Sequence, residues 1–221
     1  MKKLTSLFLA VLIISLSVFS LSAFALPATE SDAPPATETD PVPETELLYV
    51  KWIKEHGNEF SADVIASISG NVYKGKAWFK DGNQAVTVNE MNGIQIGTSR
   101  VVTKDGKTIL FWPDYPFFVV KLTTPSILNN SISNNSSVDI ETYETSDGYH
   151  VEVLSYSGID ISMYFKNGEL EKISISGSSL GTTSCEFIIT SYEVDDSEFD
   201  TPIFAFNITP FFIFLILLFA V

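Results

Sequence analysis

The sequence is poor in cysteine, histidine and basic residues. Its 221 residues include one Cys, two His, and 13 Lys and Arg against 27 Asp and Glu, which gives a formal net charge of −14. A single Cys excludes an intramolecular disulfide and a cysteine-based zinc site, and His56 and His150 lack the spacing of a metal site. A nucleic-acid binder needs a basic face, which this composition excludes. We therefore predict no metal, no cofactor and no nucleic-acid partner.

Apolar residues are abundant and unevenly distributed. Hydrophobic residues make up 45% of the chain, with 17 Phe and 8 Tyr, a content too high for full-length disorder. Residues 1–25 begin with two Lys, continue with an apolar stretch and end in Ala23-Phe24-Ala25, which is the pattern of a secretory signal peptide. We predict cleavage after Ala25 and export to the cell envelope as a secreted or periplasmic protein. An uncleaved N-terminal anchor is the alternative.

Two segments that flank the central region differ in composition. Residues 26–44 are rich in Pro, Thr, Ala, Glu and Asp and contain no aromatic residue and no positive charge, which predicts a disordered acidic linker. Residues 203–221 contain no charge and finish in 11 apolar residues from Phe211 to Val221. This tail is marginally long for a membrane span, and its composition favours a membrane anchor. The alternative is a strand or plug that packs on the domain.

The central region, residues 45–202, changes from a helical to an alternating pattern. Thr45 as a cap, an apolar stripe and Gly57 as a stop predict a helix over residues 45–56. From Phe60 onwards, apolar and polar residues alternate, and dipeptides typical of hairpin turns separate the β-prone runs. These dipeptides are Asp81-Gly82, Asn92-Gly93, Asp105-Gly106, Asp147-Gly148 and Asn167-Gly168. We predict a mainly β fold in which an antiparallel meander forms a strongly curved sheet or incomplete barrel, with one N-terminal helix and a short lid segment over residues 123–138.

An aromatic cluster is the best candidate for a hydrophobic ligand-binding surface. Prolines at positions 113 and 116 break the strand beside it and would present the rings at an edge or rim, where they can contact a lipid tail and its polar end. The alternative is that the rings fill an ordinary β core. The members are Trp78, Phe79, Phe111, Trp112, Tyr115, Phe117 and Phe118.

Two motifs are typical of chemical sites but have simpler explanations. Residues 177–181 match the G-x-S-x-G nucleophile pattern, in which Ser179 would act, but that chemistry needs a strand-to-helix elbow and a His partner. Here the motif lies between two predicted strands. The acidic run from Asp195 to Asp200 lacks the ligand order of a calcium loop, and we interpret it as a solvated charge run. We predict no catalytic residue and no enzyme activity.

Two short segments carry a resemblance to a known family. Val101–Pro113 contains Asp-Gly-Lys-Thr followed by aromatic residues and Pro, and Asp195–Pro202 ends in the pattern D-x-S-x-F-x-x-P. Both are similar to motifs of the outer-membrane lipoprotein carrier (LolA-like) superfamily, which includes the lipoprotein-binding domain of RseB-type regulators. A signal peptide, one helix ending before Asn58 and a run of hairpins fit the same family. The resemblance covers residues 45–202.

The resemblance implies an incomplete barrel whose concave apolar face holds lipid or lipoprotein acyl chains under a helical lid. Such a site needs no catalytic group, because removing apolar area from water contributes ~25 cal/mol per Å². The family's basic contact matches no single residue here, and a soluble carrier would lack the apolar tail. We therefore expect a tethered lipid-binding or sensing module, with membrane contact through residues 203–221. The alternative is an envelope protein-interaction or regulatory module without a lipid cavity.

Overall fold

The computed structural model describes residues 47–57, 59–122, 139–156, 158–180 and 183–210. They form one α-helix with both ends described, twelve strands and two short 3-10 helices, and Thr209 and Pro210 are also helical. The predicted signal peptide, acidic linker, lid segment and Phe211–Val221 run lie outside these residues. The elements are α1 (Leu48–His56), β1 (Phe60–Ile68), β2 (Asn71–Lys80), β3 (Asn83–Met91), β4 (Ile94–Lys104), β5 (Lys107–Phe111), β6 (Phe118–Leu122), β7 (Asp139–Glu144), β8 (His150–Tyr156), β9 (Ile159–Lys166), β10 (Glu169–Ser176), a 3-10 helix (Ser178–Leu180), β11 (Ser184–Ser191), a second 3-10 helix (Asp196–Phe199) and β12 (Phe206–Asn207).

The twelve described strands form one sheet in the order β12-β6-β5-β4-β3-β2-β1-β11-β10-β9-β8-β7. Neighbouring strands are antiparallel, except that β12 runs parallel to β6. The pairing of β1 with β11 joins the N-terminal hairpins to the C-terminal hairpins at the centre of the sheet. Because β12 and β7 are the two edges, the sheet does not close. The predicted mainly β architecture, an open curved sheet with one N-terminal helix, is confirmed.

Tight turns between the strands follow the predicted dipeptides with one exception. Both residues have positive φ at Asp81-Gly82, Asn92-Gly93, Asp105-Gly106 and Asn167-Gly168, as two-residue hairpin turns of the I′ type require. Asp147-Gly148 differs, because only Gly148 has a positive φ and the loop is longer. Ser69-Gly70, which is not among the predicted dipeptides, is a further turn with positive φ at both residues.

The helix is shorter than predicted at its start and ends where predicted. It begins at Leu48, and Leu47 at the N-cap makes no side-chain hydrogen bond to the first turn. Thr45, the predicted cap, lies outside the described residues. At the other end, Gly57 is in the left-handed region with φ 61° and donates its N–H to Ile53 O, which is the usual glycine stop.

The sheet has two apolar faces. We call the face that carries α1 the inner face and the opposite one the outer face. Adjacent residues point to opposite faces, as the period of two requires: Val101 belongs to the main core on the inner face, and Val102 to a smaller cluster on the outer face. The buried members of the outer cluster are Ala85, Val102, Phe111, Val119, Val194 and Phe199.

The strands β2 and β3 approach each other closely at Gly75. Their register shifts between Lys74 and Gly75, and a Cβ atom at Gly75 would lie 1.7 Å from Thr87 O. Any side chain at this position would push the two strands apart, so the close approach requires glycine.

The first part of the predicted apolar tail packs on the sheet. Phe206 N–H donates to Phe117 O (2.7 Å) and Ile208 N–H to Val119 O (2.9 Å), so that β12 lies beside β6. The described residues include no helix long and apolar enough to cross a membrane. Residues 206–208 match the packed-strand alternative, because they pair with β6.

Candidate functional site

The inner face carries a row of residues in register, one from each of eight neighbouring strands. In the order of the sheet these strands run from β4 through β1 and β11 to β8. Six neighbouring members of the row are apolar or glycine, and the two ends are polar. At one end the Ser99 hydroxyl is buried and has no hydrogen-bond partner in the structure. At the other end Glu152 is 1% exposed. The row is Ser99, Val88, Gly75, Val64, Phe187, Ile173, Met163 and Glu152.

A second row on the inner face is apolar throughout. It crosses β1 to β6, and its side chains are smallest at the centre of the sheet, where Ala62 and Ala77 are paired. All its members are buried in the main core. We call the apolar members of the two rows the apolar floor. In the order of the sheet it runs from β6 through β1 and β11 to β9. The second row is Ala62, Ala77, Val86, Val101, Leu110 and Val120.

The helix α1 packs on the inner face, and aromatic contacts hold its C-terminal half. The Trp52 ring centroid lies 5.6 Å from that of Phe60 and 6.0 Å from that of Tyr192, both edge-on. His56 stacks on Tyr192 at 4.4 Å. Burial against the sheet also raises the pKa of Tyr49, on the first turn of α1, to about 12. One face of the helix is therefore part of the core.

Glu152 on β8 holds the N-terminal end of α1 through hydrogen bonds. Its two carboxylate oxygens accept the backbone N–H groups of Leu48 (2.6 Å) and Tyr49 (2.9 Å). His150 lies beside it, with Nε2 3.5 Å from Glu152 Oε1 and Nδ1 2.8 Å from Glu144 Oε1. A carboxylate at a helix N-terminus satisfies donors that have no partner within the helix and complements the helix dipole.

Sequence reasoning missed Glu152, and β8 gives little signal for it. In His150–Tyr156 the apolar residues Val151 and Val153 flank Glu152, so local alternation alone predicts a carboxylate that faces solvent. The register of β8 with β9, where Glu152 lies opposite Met163, reverses that orientation. A local pattern contains no information about this long-range contact.

The structure divides the seven predicted ligand-binding aromatic residues into three groups. Phe79 and Trp112 belong to the inner face, where Phe79 stacks on Phe60 at 4.4 Å. Trp78 and Phe111 belong to the outer cluster, because each is the strand neighbour of an inner-face residue. Tyr115, Phe117 and Phe118 are exposed in and after the turn between β5 and β6. The seven rings do not form one surface, and their role in ligand binding stays a prediction.

The acidic run after β11 has a structural role on the outer face. Asp195 Oδ1 accepts Ser197 N–H (2.8 Å) at the start of the second 3-10 helix, and this hydrogen bond to Ser197 lowers the pKa of Asp195. Lys80 Nζ lies 3.1 Å from Asp196 Oδ1, and the hydrogen bond to Asp196 raises the pKa of Lys80. Where the structure describes the chain, no group of three His, Cys, Asp or Glu side chains could hold a metal ion.

The G-x-S-x-G segment does not form a nucleophile elbow. Its first three residues after Gly177 are a 3-10 helix between β10 and β11, whereas the elbow needs a strand that turns into an α-helix. Cys185 is buried in β11, and burial raises the pKa of its thiol to about 12, so that it is neutral at ordinary pH and a poor nucleophile.

The fold and the inner face define a mainly β domain built on one open sheet, with a helix packed on its apolar inner face. No family model matches the chain, and no curated protein matches it. Solved structures to which it is similar include an uncharacterized conserved protein from Thermus thermophilus (6% identity, 72% of this chain and 96% of that one, TM-score 0.47). A second is the MucA/MucB complex of Pseudomonas aeruginosa (14%, 68% and 59%, TM-score 0.36).

A third similar structure is a LolA superfamily protein from Nitrosomonas europaea, with 11% identity over 65% of this chain and 90% of that one and a TM-score of 0.30. Its superfamily is the one that the motifs in residues 101–113 and 195–202 resemble. Because each of these three TM-scores is below 0.5, these similarities establish neither family membership nor function. The LolA-like assignment stays a prediction.

Proposed function

We propose that this protein binds acyl chains of lipids or lipoproteins on the inner face of its sheet, outside the cytoplasm and without chemical change to the ligand. The observation that carries the proposal is the apolar floor from β6 to β9 on the inner face, the face on which the separate short helix α1 packs. Export rests on the signal-peptide pattern of residues 1–25. Membrane tethering through residues 203–221 is part of the same proposal and rests on their composition.

Binding on the part of the inner face that α1 covers requires the helix to move, because Tyr49 and Trp52 are buried in the main core there. Its attachments are concentrated at its two ends: the Glu152 carboxylate at the start, and the contacts of Trp52 and His56 with Tyr192 near the end. An acyl chain that replaces the contacts of Tyr49 and Trp52 would restore the apolar burial that they lose. We therefore propose that α1 covers the site in the empty state.

The first test is native mass spectrometry of the exported full chain before and after lipid extraction, followed by titration with a fluorescent fatty acid. The proposal expects a co-purifying mass that organic solvent removes, and saturable uptake by the extracted protein. A clean empty mass together with no uptake would overturn it.

A matched pair of variants then locates the site. Val101→Thr adds a hydroxyl to the inner face, and Val102→Thr adds one to the outer face of the same strand. Both valines are fully buried, so both variants lose comparable stability, about 1–3 kcal/mol. We expect Val101→Thr to weaken fatty-acid affinity about fivefold or more and Val102→Thr to leave it unchanged. Equal affinities in the two variants would place the ligand elsewhere.

A second candidate is an envelope protein-interaction module without a lipid cavity. It is favoured by the edge strand β7, whose six side chains are all exposed and whose outer edge pairs with no strand among the described residues. Such an edge can add a strand from a partner, and Asp139, Glu141 and Glu144 would suit a basic one. Failure of lipid uptake with retained binding of a basic extended peptide would select this function.

A further inference from the structure

Six large apolar side chains are exposed together at the β6–β12 edge of the sheet. They come from the turn before β6 and from the segment that leads into β12, and the hydrogen bond from Phe206 N–H to Phe117 O (2.7 Å) joins the two segments. Their exposed fractions run from 45% for Phe118 to 89% for Ile203. We call this set the apolar rim: Tyr115, Phe117, Phe118, Ile203, Phe204 and Phe206.

The rim lies beside the inner face. Phe206 lies in register with Phe118 on the parallel strand, so the two rings point to the same side of the sheet. Each is two residues before a side chain of the main core: Val120 after Phe118, and Ile208 after Phe206. At Phe118 and Phe206 the rim therefore borders the inner face.

The surroundings of the rim are nearly free of charge. Between Pro113 and Val120 the only charged residue is Asp114, and residues 201–221 contain none. The chain as a whole is strongly acidic, with a net charge of −14. Exposed Lys121 on β6 and exposed Asp200 border these two segments, so a partner that binds this edge meets only isolated charges of both signs. Contiguous exposed apolar patches on soluble domains mark interaction sites.

We propose that the apolar rim is a docking surface for the interfacial region of a lipid bilayer. Aromatic rings with an occasional polar end, here Tyr115, favour the headgroup boundary of a membrane. The rings project from a turn and a two-residue edge strand, which suits insertion into a fluid interface better than packing against a rigid protein groove. This is docking in the membrane plane, not a span, and it goes beyond acyl-chain binding on the inner face.

The charge of the protein predicts the lipid preference. Docking by rings without a basic residue depends on apolar burial, so the full chain should bind vesicles of phosphatidylcholine. Anionic phosphatidylglycerol should not strengthen binding, because it repels an acidic protein. Raising the salt concentration should change binding to phosphatidylcholine by less than about twofold, since screening acts on charges.

The test compares two double variants of the full chain in vesicle flotation. Phe204→Ser with Phe206→Ser removes two rings from the rim, and Ile140→Ser with Tyr143→Ser removes two exposed apolar side chains from β7 at the opposite edge. We expect the rim variant to lose at least about tenfold in partitioning, because a fully inserted Phe side chain alone accounts for that factor. The β7 variant should stay within about twofold of the wild type.

A second measurement reports the position of the rim directly. Phe204→Trp should show a blue-shifted emission with vesicles and quenching by brominated lipid, and Tyr143→Trp should show neither. Absence of vesicle binding by the wild-type chain, equal loss in both double variants, or no lipid quenching of the Trp at position 204 would each overturn the proposal. Fatty-acid uptake measured in the rim variant keeps the two proposals separate, since failure of docking leaves uptake by the inner face intact.

Discussion

At the residue scale, one buried carboxylate decides where α1 begins. Leu47 at the N-cap offers no side-chain acceptor, and Glu152, which is 104 residues from Leu48 in the sequence, supplies two. A buried carboxylate is costly unless hydrogen bonds satisfy it, and the first N–H groups of a helix are costly when buried without an acceptor. Each group therefore satisfies the other, and the pairing fixes the position of the helix on the sheet.

Replacement of Glu152 should accordingly destabilise the protein. Glu152→Ala leaves two buried N–H groups without an acceptor, and we expect a loss of about 2–3 kcal/mol in the free energy of unfolding. Glu152→Gln keeps one carbonyl oxygen and should lose less. The measurement is urea unfolding followed by circular dichroism. Glu141→Ala, at an exposed position on β7, is the control, and equal stability of the two Ala variants would contradict the assigned role.

At the element scale, the segment after β11 is held on the outer face by Arg100 of β4. Arg100 Nη2 lies 2.9 Å from Glu198 Oε2 and also donates to the Glu198 carbonyl oxygen. The guanidinium carbon lies 5.1 Å from the Trp78 ring centroid. Phe199, in the same 3-10 helix as Glu198, is buried in the outer cluster. One side chain thus joins two strands to the second 3-10 helix.

Loss of this contact should loosen the C-terminal segment without unfolding the sheet. In Arg100→Ala we expect the amides of Glu198, Asp200 and Phe206 to exchange with solvent about fivefold faster or more, which corresponds to about 1 kcal/mol of local stability. Amides of β9 and β10 should exchange as in the wild type. Hydrogen exchange by mass spectrometry or NMR measures this, with Lys104→Ala on the same strand as the control. Uniform acceleration across the sheet would contradict a local role.

Local sequence patterns predicted most of the turns and strands, because these elements depend on the residues at their own positions. Positive φ at Asp81-Gly82 or Asn167-Gly168 depends on the two residues themselves, and Gly57 ends α1 for the same reason. The family-like motifs also have local structural roles: Asp105-Gly106 forms a turn, and Asp195 caps a 3-10 helix. Such motifs report on folding and not on a ligand.

The candidate site could not be predicted in the same way, because it depends on the face of the sheet to which each side chain points. Neighbours such as Trp78 and Phe79 read as one aromatic pair in the sequence and lie on opposite faces in the structure. The contact between Glu152 and α1 depends on the pairing of β8 with β9, which brings together residues far apart in the chain. The apolar rim likewise forms only when residues 206–208 pair with β6.

At the scale of the whole molecule, the pairing of β1 with β11 makes one core from two sets of hairpins. Cys185 lies at this central pair, opposite Ala66 on β1 and Ile175 on β10. Ionisation of a group at such a position is linked to global unfolding, because the thiolate is accommodated only when the pair opens. Alkaline pH therefore tests how strongly the two halves depend on each other.

Burial raises the pKa of Cys185 from 9.0 to about 12 and that of Tyr49 from 10.0 to about 12. Between pH 9 and 12 the unfolded state has released the thiol proton and the folded state has not. The unfolded state thus binds fewer protons, and the free energy of unfolding falls as pH rises. Cys185→Ala removes this contribution, so its unfolding free energy should fall less steeply than that of the wild type, by about 1 kcal/mol per pH unit. Urea unfolding of both proteins at pH 8, 10 and 11 measures the two slopes; parallel slopes would mean that the thiol reaches solvent without opening the β1–β11 pair.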